Sequence, residues 1–422
     1  MTDLAGDGPA RLAPSPATAA PTTRAPDGPT AFPFRRGCPF FPPDEYARLR
    51  RDAPVTRVTL PTGGQAWIVT RYRDVRALLA DPRISSDARH PTFPAMGAGE
   101  REAAARNRPF IRTDPPEHTR IRRMVQAEFT VRRVKNMVPE LASYAEGLVD
   151  DMVAAGPPAD LVSAYANQMS TVTVLNLMGV PTEDVEFFRD VTRISGGRTS
   201  SAEQVQAALG GMFARFDELI ERRLRKPGED LFSRLVINNL ATGAMTRQEL
   251  LSTVGITVIA GRETTTSMIA LGTLMLLERP DALAELRERP DLLGEAVEEL
   301  LRMLSVADSI PLRVATGEIE IGGVTIRPGD GVILLLAAAN HDPEVFPEPT
   351  ALDLHRPDRH HVAFGFGIHQ CVGQNLARAE LEVALGTLLR RLPTLRLAAP
   401  FEELELRQDA ATFGIETLPV AW

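Results

Sequence analysis

Cys371 lies where a glycine-rich stretch, Phe364-Gly365-Phe366-Gly367-Ile368-His369-Gln370-Cys371-Val372-Gly373, runs into a segment read as a helix to about Leu389. A cysteine at a helix N-terminus has its thiolate stabilised by free amide N–H groups and by the helix dipole. The amides of Val372, Gly373 and Gln374 are placed to point at such a sulfur. The thiolate form is both a nucleophile and a soft metal ligand. Glycines ahead of it let the backbone come close to a flat ligand. A dinucleotide loop is a poor reading, because it needs a third glycine at position 370, where Gln370 stands.

Three further groupings have chemistry in their spacing. Ala260-Gly261-Arg262-Glu263-Thr264 puts an acid beside an alcohol, a pair able to pass protons. Glu299 and Arg302 lie three apart, on one helix face, as His118 and Arg122 do at a spacing of four. Glu-x-x-Arg alone is uninformative, since surface helices carry many. Here its place about 70 residues before the cysteine loop gives it weight.

These side chains need elements to hold them. Residues 247–277 contain no proline and are apolar on more than one face, which predicts a helix of roughly 45 Å crossing the core. Residues 65–70 and 55–60 read as paired strands, followed by a helix at 72–80. Glu318 to Ile321 and Val324 to Ile326, joined by Gly322-Gly323, read as a hairpin. Residues 83–112 mix proline, glycine and charge, and read as a long loop with some short helix. Asp114 is placed to cap the helix that follows it, with Pro115 and Pro116 in its first turn. The last 30 residues read as strands and turns. The sum is mainly α with a minor β part, in one unit over 31–422. Residues 1–30, rich in Pro, Ala, Thr and Gly, read as a disordered leader.

The chain has 422 residues, 44% of them hydrophobic, and a net charge of −8. That acidity argues against a nucleic-acid partner. No apolar run approaches the ~20 residues that cross a bilayer. Two cysteines, Cys38 and Cys371, are too few for a disulfide framework or a cysteine-based zinc site, which points to a reducing cytoplasm. Cys38 reads as a free structural thiol.

The 364–373 stretch resembles the cysteine-ligand loop of the cytochrome P450 family, Phe-Gly-x-Gly-x-His-x-Cys-x-Gly, at every fixed position. Other marks of the family follow in order, from about Phe40 to the C-terminus, and the overall look is that of soluble actinobacterial members. The resemblance implies a P450 fold, with a long central helix over a haem b and the cysteine loop beneath it. It implies that Cys371 supplies the axial thiolate, within a loop whose Phe364 and Gly365 lie against the haem. Glu299, Arg302 and Arg356 look like the buried ion network that holds the cysteine loop. Thr264 looks like the proton-delivering alcohol and Glu263 its relay, while Gly261 resembles the residue that leaves room for dioxygen. Relatives often carry His where this chain has Arg262. His118, Arg122, Arg313 and His369 resemble the cationic partners of the haem propionates.

The implied function is hydroxylation of an apolar small molecule such as a macrolide, steroid, statin-like compound or xenobiotic. It uses O2 and two electrons from a ferredoxin and its NAD(P)H-dependent reductase, and the protein is expected as a cytoplasmic monomer of secondary metabolism. Arg120, Arg122, Arg123, Arg132, Arg133 and Arg378 are candidates for a basic ferredoxin-docking face. The substrate pocket is expected to draw on residues 83–112, 187–199, 256–264, 306–312 and 413–415, the first two acting as gates. A peroxide-using haem-thiolate hydroxylase and a non-enzymatic haem sensor stay open, although Glu263-Thr264 counts against both.

Overall fold

The computed structural model describes residues 30–180, 184–357 and 360–422. The expected leader, apart from Thr30, lies outside the described residues. Thr30 itself begins a two-residue strand paired with Val58.

Helices make up most of the fold. The helix Arg247–Leu277 runs 31 residues along the bounds read from the sequence. It starts at a capping box, with Thr246 Oγ1 accepting from the Glu249 amide and Glu249 reaching back to the Thr246 amide. It ends just before Pro280, which opens the next helix, Pro280–Glu288. Its middle and C-terminal turns are buried on nearly all sides. Asn167–Met178 and Gln374–Arg391 pack against it, and one large apolar cluster joins these helices to Val131–Ala155, Ala202–Arg225 and Leu293–Leu304.

The largest sheet has six strands, in the order Thr30–Ala31, Val55–Thr59, Gln65–Val69, Gly331–Leu334, Leu312–Ala315 and Ile84–Ser85. Its two faces follow the period-2 rule. Ala66, Ile68 and Ile333 face one apolar cluster, while Val69, Val332 and Leu334 face another. The hairpin Ile319–Ile321 with Val324–Ile326 forms as expected.

The short helix expected within 83–112 lies at Ala98–Asn107. Its Ala, Glu and Arg residues favour helix, but it lacks the apolar stripe by which a helix is read. One local expectation fails: Asp114 caps no helix. The helix begins at Glu117, and the Asp114 carboxylate instead accepts from the Ser85 hydroxyl and, at 2.8 Å, from the Ser86 amide. It therefore ties the start of this helix to the edge of the large sheet.

Candidate active site

The cysteine loop is a tight, self-bonded turn. The Cys371 amide donates to the Phe364 carbonyl at 2.8 Å, and the Gly365 amide to the Val362 carbonyl at 2.8 Å. Gly365 and Gly367 have φ of +70° and +74°, a region that strains other residues. Gly367 also lacks space, since a Cβ there would lie 2.7 Å from the Leu79 carbonyl oxygen. Cys371 is open to solvent on its own surface, yet burial by the surrounding protein pushes its thiol up. The amides of Gly373 and Gln374 and the guanidiniums of Arg122 and Arg378 pull the other way. Two of the three expected amides therefore act on it. The helix itself begins three residues later, at Gln374.

The predicted cations converge beside this loop. The rings of His118 and His369 lie 4.1 Å apart between centroids. Neither ring nitrogen of His118, nor Nδ1 of His369, has a hydrogen-bond partner among the described residues. Arg313 is buried and donates to the carbonyl of Leu312. Burial and nearby cations push His118 down to about 4 and His369 to about 2. Burial, with Arg112 adding repulsion, takes Arg313 to about 9. Arg112 was not singled out from the sequence, and no pattern around it signals the role. Arg122 bonds the Gln370 carbonyl at 2.6 Å, tying the helix Glu117–Gln126 to the loop.

Glu299, Arg302 and Arg356 come together in the core. Arg302 grips both Glu299 oxygens at 2.7 and 2.8 Å, and Arg356 Nε bonds the same carboxylate at 3.0 Å. The two guanidiniums spend their remaining donors on the carbonyls of Asn340, Pro347 and Pro349. Asn340 Oδ1 in turn accepts from the Val362 amide at 2.7 Å, just ahead of the cysteine loop.

On the central helix, Glu263 and Thr264 line a cavity of about 260 Å³. The Thr264 hydroxyl donates to the Ala260 carbonyl at 2.7 Å. Burial pushes the Glu263 carboxyl up, against the pull of Arg407 and Arg262. Arg262 is buried and held by Asn167 Oδ1 at 3.0 Å, the Arg189 carbonyl at 3.3 Å and the Thr192 hydroxyl. It pins the central helix to the helix Val185–Gly196, and one nitrogen lies 3.6 Å from Glu263.

Gly261 departs from its expected place. It faces Val174, whose Cγ2 would lie 2.6 Å from a Cβ at this position, and Ala260 lines the cavity instead. The missing side chain makes room for a neighbouring helix. Gly261→Ala should therefore destabilise the fold by about 1–3 kcal/mol, read in a urea melt. Val174→Ala in the same chain should recover most of the loss. No recovery would mean that the clash lies elsewhere.

A family profile described as "Cytochrome P450" matches residues 185–398. The vitamin D3 dihydroxylase of Streptomyces griseolus is 47% identical over 409 residues, 96% of this chain and 99% of that protein. The chain belongs to the cytochrome P450 family. The crystal structure of CYP105N1 from Streptomyces coelicolor superposes with a TM-score of 0.87 at 61% identity, covering 94% of this P450 and 99% of the other. Mycinamicin VIII C21 methyl hydroxylase from Micromonospora griseorubida, bound to mycinamicin VIII, gives 0.88 at 41%, covering 93% and 100%.

Membership makes this P450 a haem monooxygenase with a cysteine thiolate on the iron, acting on a small molecule with O2 and redox partners. Its own residues fit that cofactor. Buried cations and orphaned ring nitrogens are costly without an anion among them, and the cluster of His118, Arg313 and His369 stands beside the cysteine loop where propionates would neutralise it.

The pocket expectation holds in part. Residues from 96–112, 195–198, 256–264 and 309–312 line the cavity. Phe413 to Ile415 do not; Ala411 and Thr412 take their place. Leu209, Met212 and Phe213, from the helix Ala202–Arg225, were missed. Their amphipathic spacing reads equally well as ordinary core. Several expected docking cations are already engaged: Arg120 with Glu249, Arg133 with Glu128 and Arg378 with Glu298. No described helix is long and apolar enough to cross a membrane.

Proposed function

We propose that Cys371 is the haem ligand of a monooxygenase that hydroxylates a slim, largely apolar substrate, with electrons passed from NAD(P)H through a ferredoxin reductase and a ferredoxin. The observation that carries this reading is the pairing of Glu263 with Thr264 on the wall of a mainly apolar cavity. The haem, when bound, supplies the oxygen-inserting chemistry. The chain supplies the protons and the shape. Glu263, buried with a raised affinity for its proton, hands that proton toward Thr264. The Thr264 hydroxyl, now donating to Ala260, turns to pass it into the cavity. The apolar side chains of Ile256, Ile259, Met212 and Phe213 exclude water and orient the substrate.

Relatives named for vitamin D3 and for a macrolide support sterol-like and macrolide substrates. A cavity of about 260 Å³ takes the slimmer kind. A macrolide needs the 96–112 and 195–200 segments to withdraw. Arg123 and Arg132, both exposed, suit an acidic ferredoxin by electrostatic steering. A ferredoxin kept reduced by NAD(P)H places the enzyme in the cytoplasm.

The test is turnover of a vitamin D3 and macrolide panel under labelled O2. We expect product one labelled oxygen heavier, formed only with ferredoxin, reductase and NAD(P)H. Product formed with peroxide but not with reductant would replace this reading by a peroxygenase.

A further inference from the structure

Glu298, the neighbour of Glu299 on the helix Leu293–Leu304, makes a second network that reaches the cysteine loop directly. Its Oε1 accepts from Arg378 Nε at 2.5 Å and its Oε2 from Arg378 Nη2 at 3.0 Å, a bidentate grip. Its Oε2 also lies 3.2 Å from Nε2 of the buried His361. The Ala363 amide donates to His361 Nδ1 at 3.2 Å. That fixes the ring proton on Nε2, so His361 donates to Glu298.

His361 precedes the loop and Arg378 follows it. One carboxylate therefore draws together the two strands of chain at the neck of the loop. Arg378 also lies over the Phe364 ring, 4.6 Å from its centroid, and donates to Gln374 Oε1 at 3.1 Å. Burial works against the charge on Glu298, yet His361 and Arg378 hold its carboxyl down to about 2. By contrast, Glu299 and its arginines bind the 340–356 approach to the loop.

We propose that Glu298, His361 and Arg378 form a clamp on the neck of the cysteine loop, and that Arg378 is a positioning residue whose charge tunes the Cys371 thiolate and with it the haem reduction potential. This rests on Cys371 being the haem ligand. A fixed cation near the thiolate draws electron density from it and favours the reduced state, and its carboxylate partner moderates that effect.

The sign of the change separates tuning from damage. In the holoenzyme, Arg378→Gln should lower the reduction potential and Glu298→Gln should raise it. Arg378→Lys, which keeps the charge, should restore the wild-type value. Glu298→Gln should also increase, by about tenfold, the share of reduced carbon monoxide complex that has lost thiolate ligation. Shifts of the same sign in Arg378→Gln and Glu298→Gln, or unchanged potentials in both, would overturn the proposal. Should Glu298→Gln fail to fold, Arg378→Gln against Arg378→Lys decides it: equal potentials in those two overturn it. A wild-type protein without thiolate-ligated haem would instead overturn the assignment of Cys371.

Discussion

Cys371→Ala will lose the strongly red-shifted Soret band of the reduced carbon monoxide complex. The only other cysteine is Cys38, which packs against the helical core cluster and makes no part of the 364–373 loop. No second thiolate can take over. The amides of Gly373 and Gln374, with Arg122 and Arg378, serve the charge on this one sulfur. Alanine leaves them facing nothing, while His118, Arg313 and His369 still offer a place for propionates. The variant should therefore keep weak haem binding with a band typical of non-thiolate ligation. A wild-type spectrum in Cys371→Ala would sink the assignment outright.

Glu299→Gln should cost about 3–5 kcal/mol, the usual loss when one partner of a buried ion pair is removed. Arg302 and Arg356 share this carboxylate, and all three side chains are nearly inaccessible. Glutamine keeps the shape and one acceptor oxygen, but removes the charge that Arg302 grips at both oxygens and that Arg356 shares. A urea midpoint followed by the haem band should fall well below wild type, and haem should leave earlier than the helices melt. A midpoint within about 0.5 kcal/mol of wild type, the range of an ordinary surface change, would show that the arginines are held without the Glu299 charge.

Legibility followed the kind of physics involved. The central helix was readable to its last residue because a proline-free run, apolar on more than one face, states its length. The strand around Ile68 was readable, but Gly331–Leu334 beside it was not, because it is buried along its whole length and its apolar run does not alternate. The helix Ala98–Asn107 was expected only as short helix without bounds, because it has no apolar stripe to announce its ends. Gly261 was misplaced because a motif gives the residue and not the direction it faces; Val174 occupies that side. Glu298 and His361 escaped notice for the same reason. Two adjacent glutamates on one helix look alike in sequence, and only the packing shows that one serves Arg302 while the other serves Arg378. Arg112 becomes meaningful only beside Arg313, some 200 residues away in the chain.

That cationic cluster also has a consequence for biosynthesis. His118, Arg313 and the loop that carries His369 and the thiolate come from distant parts of the sequence, and burying them together carries a desolvation cost for each. A nascent chain on the ribosome holds the early members long before Cys371 has been made. The pocket is therefore assembled late, and the propionates become the countercharge that lets its last pieces close. A cell starved of haem should accumulate full-length chains whose sheet and central helix are formed but whose cysteine loop stays open to proteolysis.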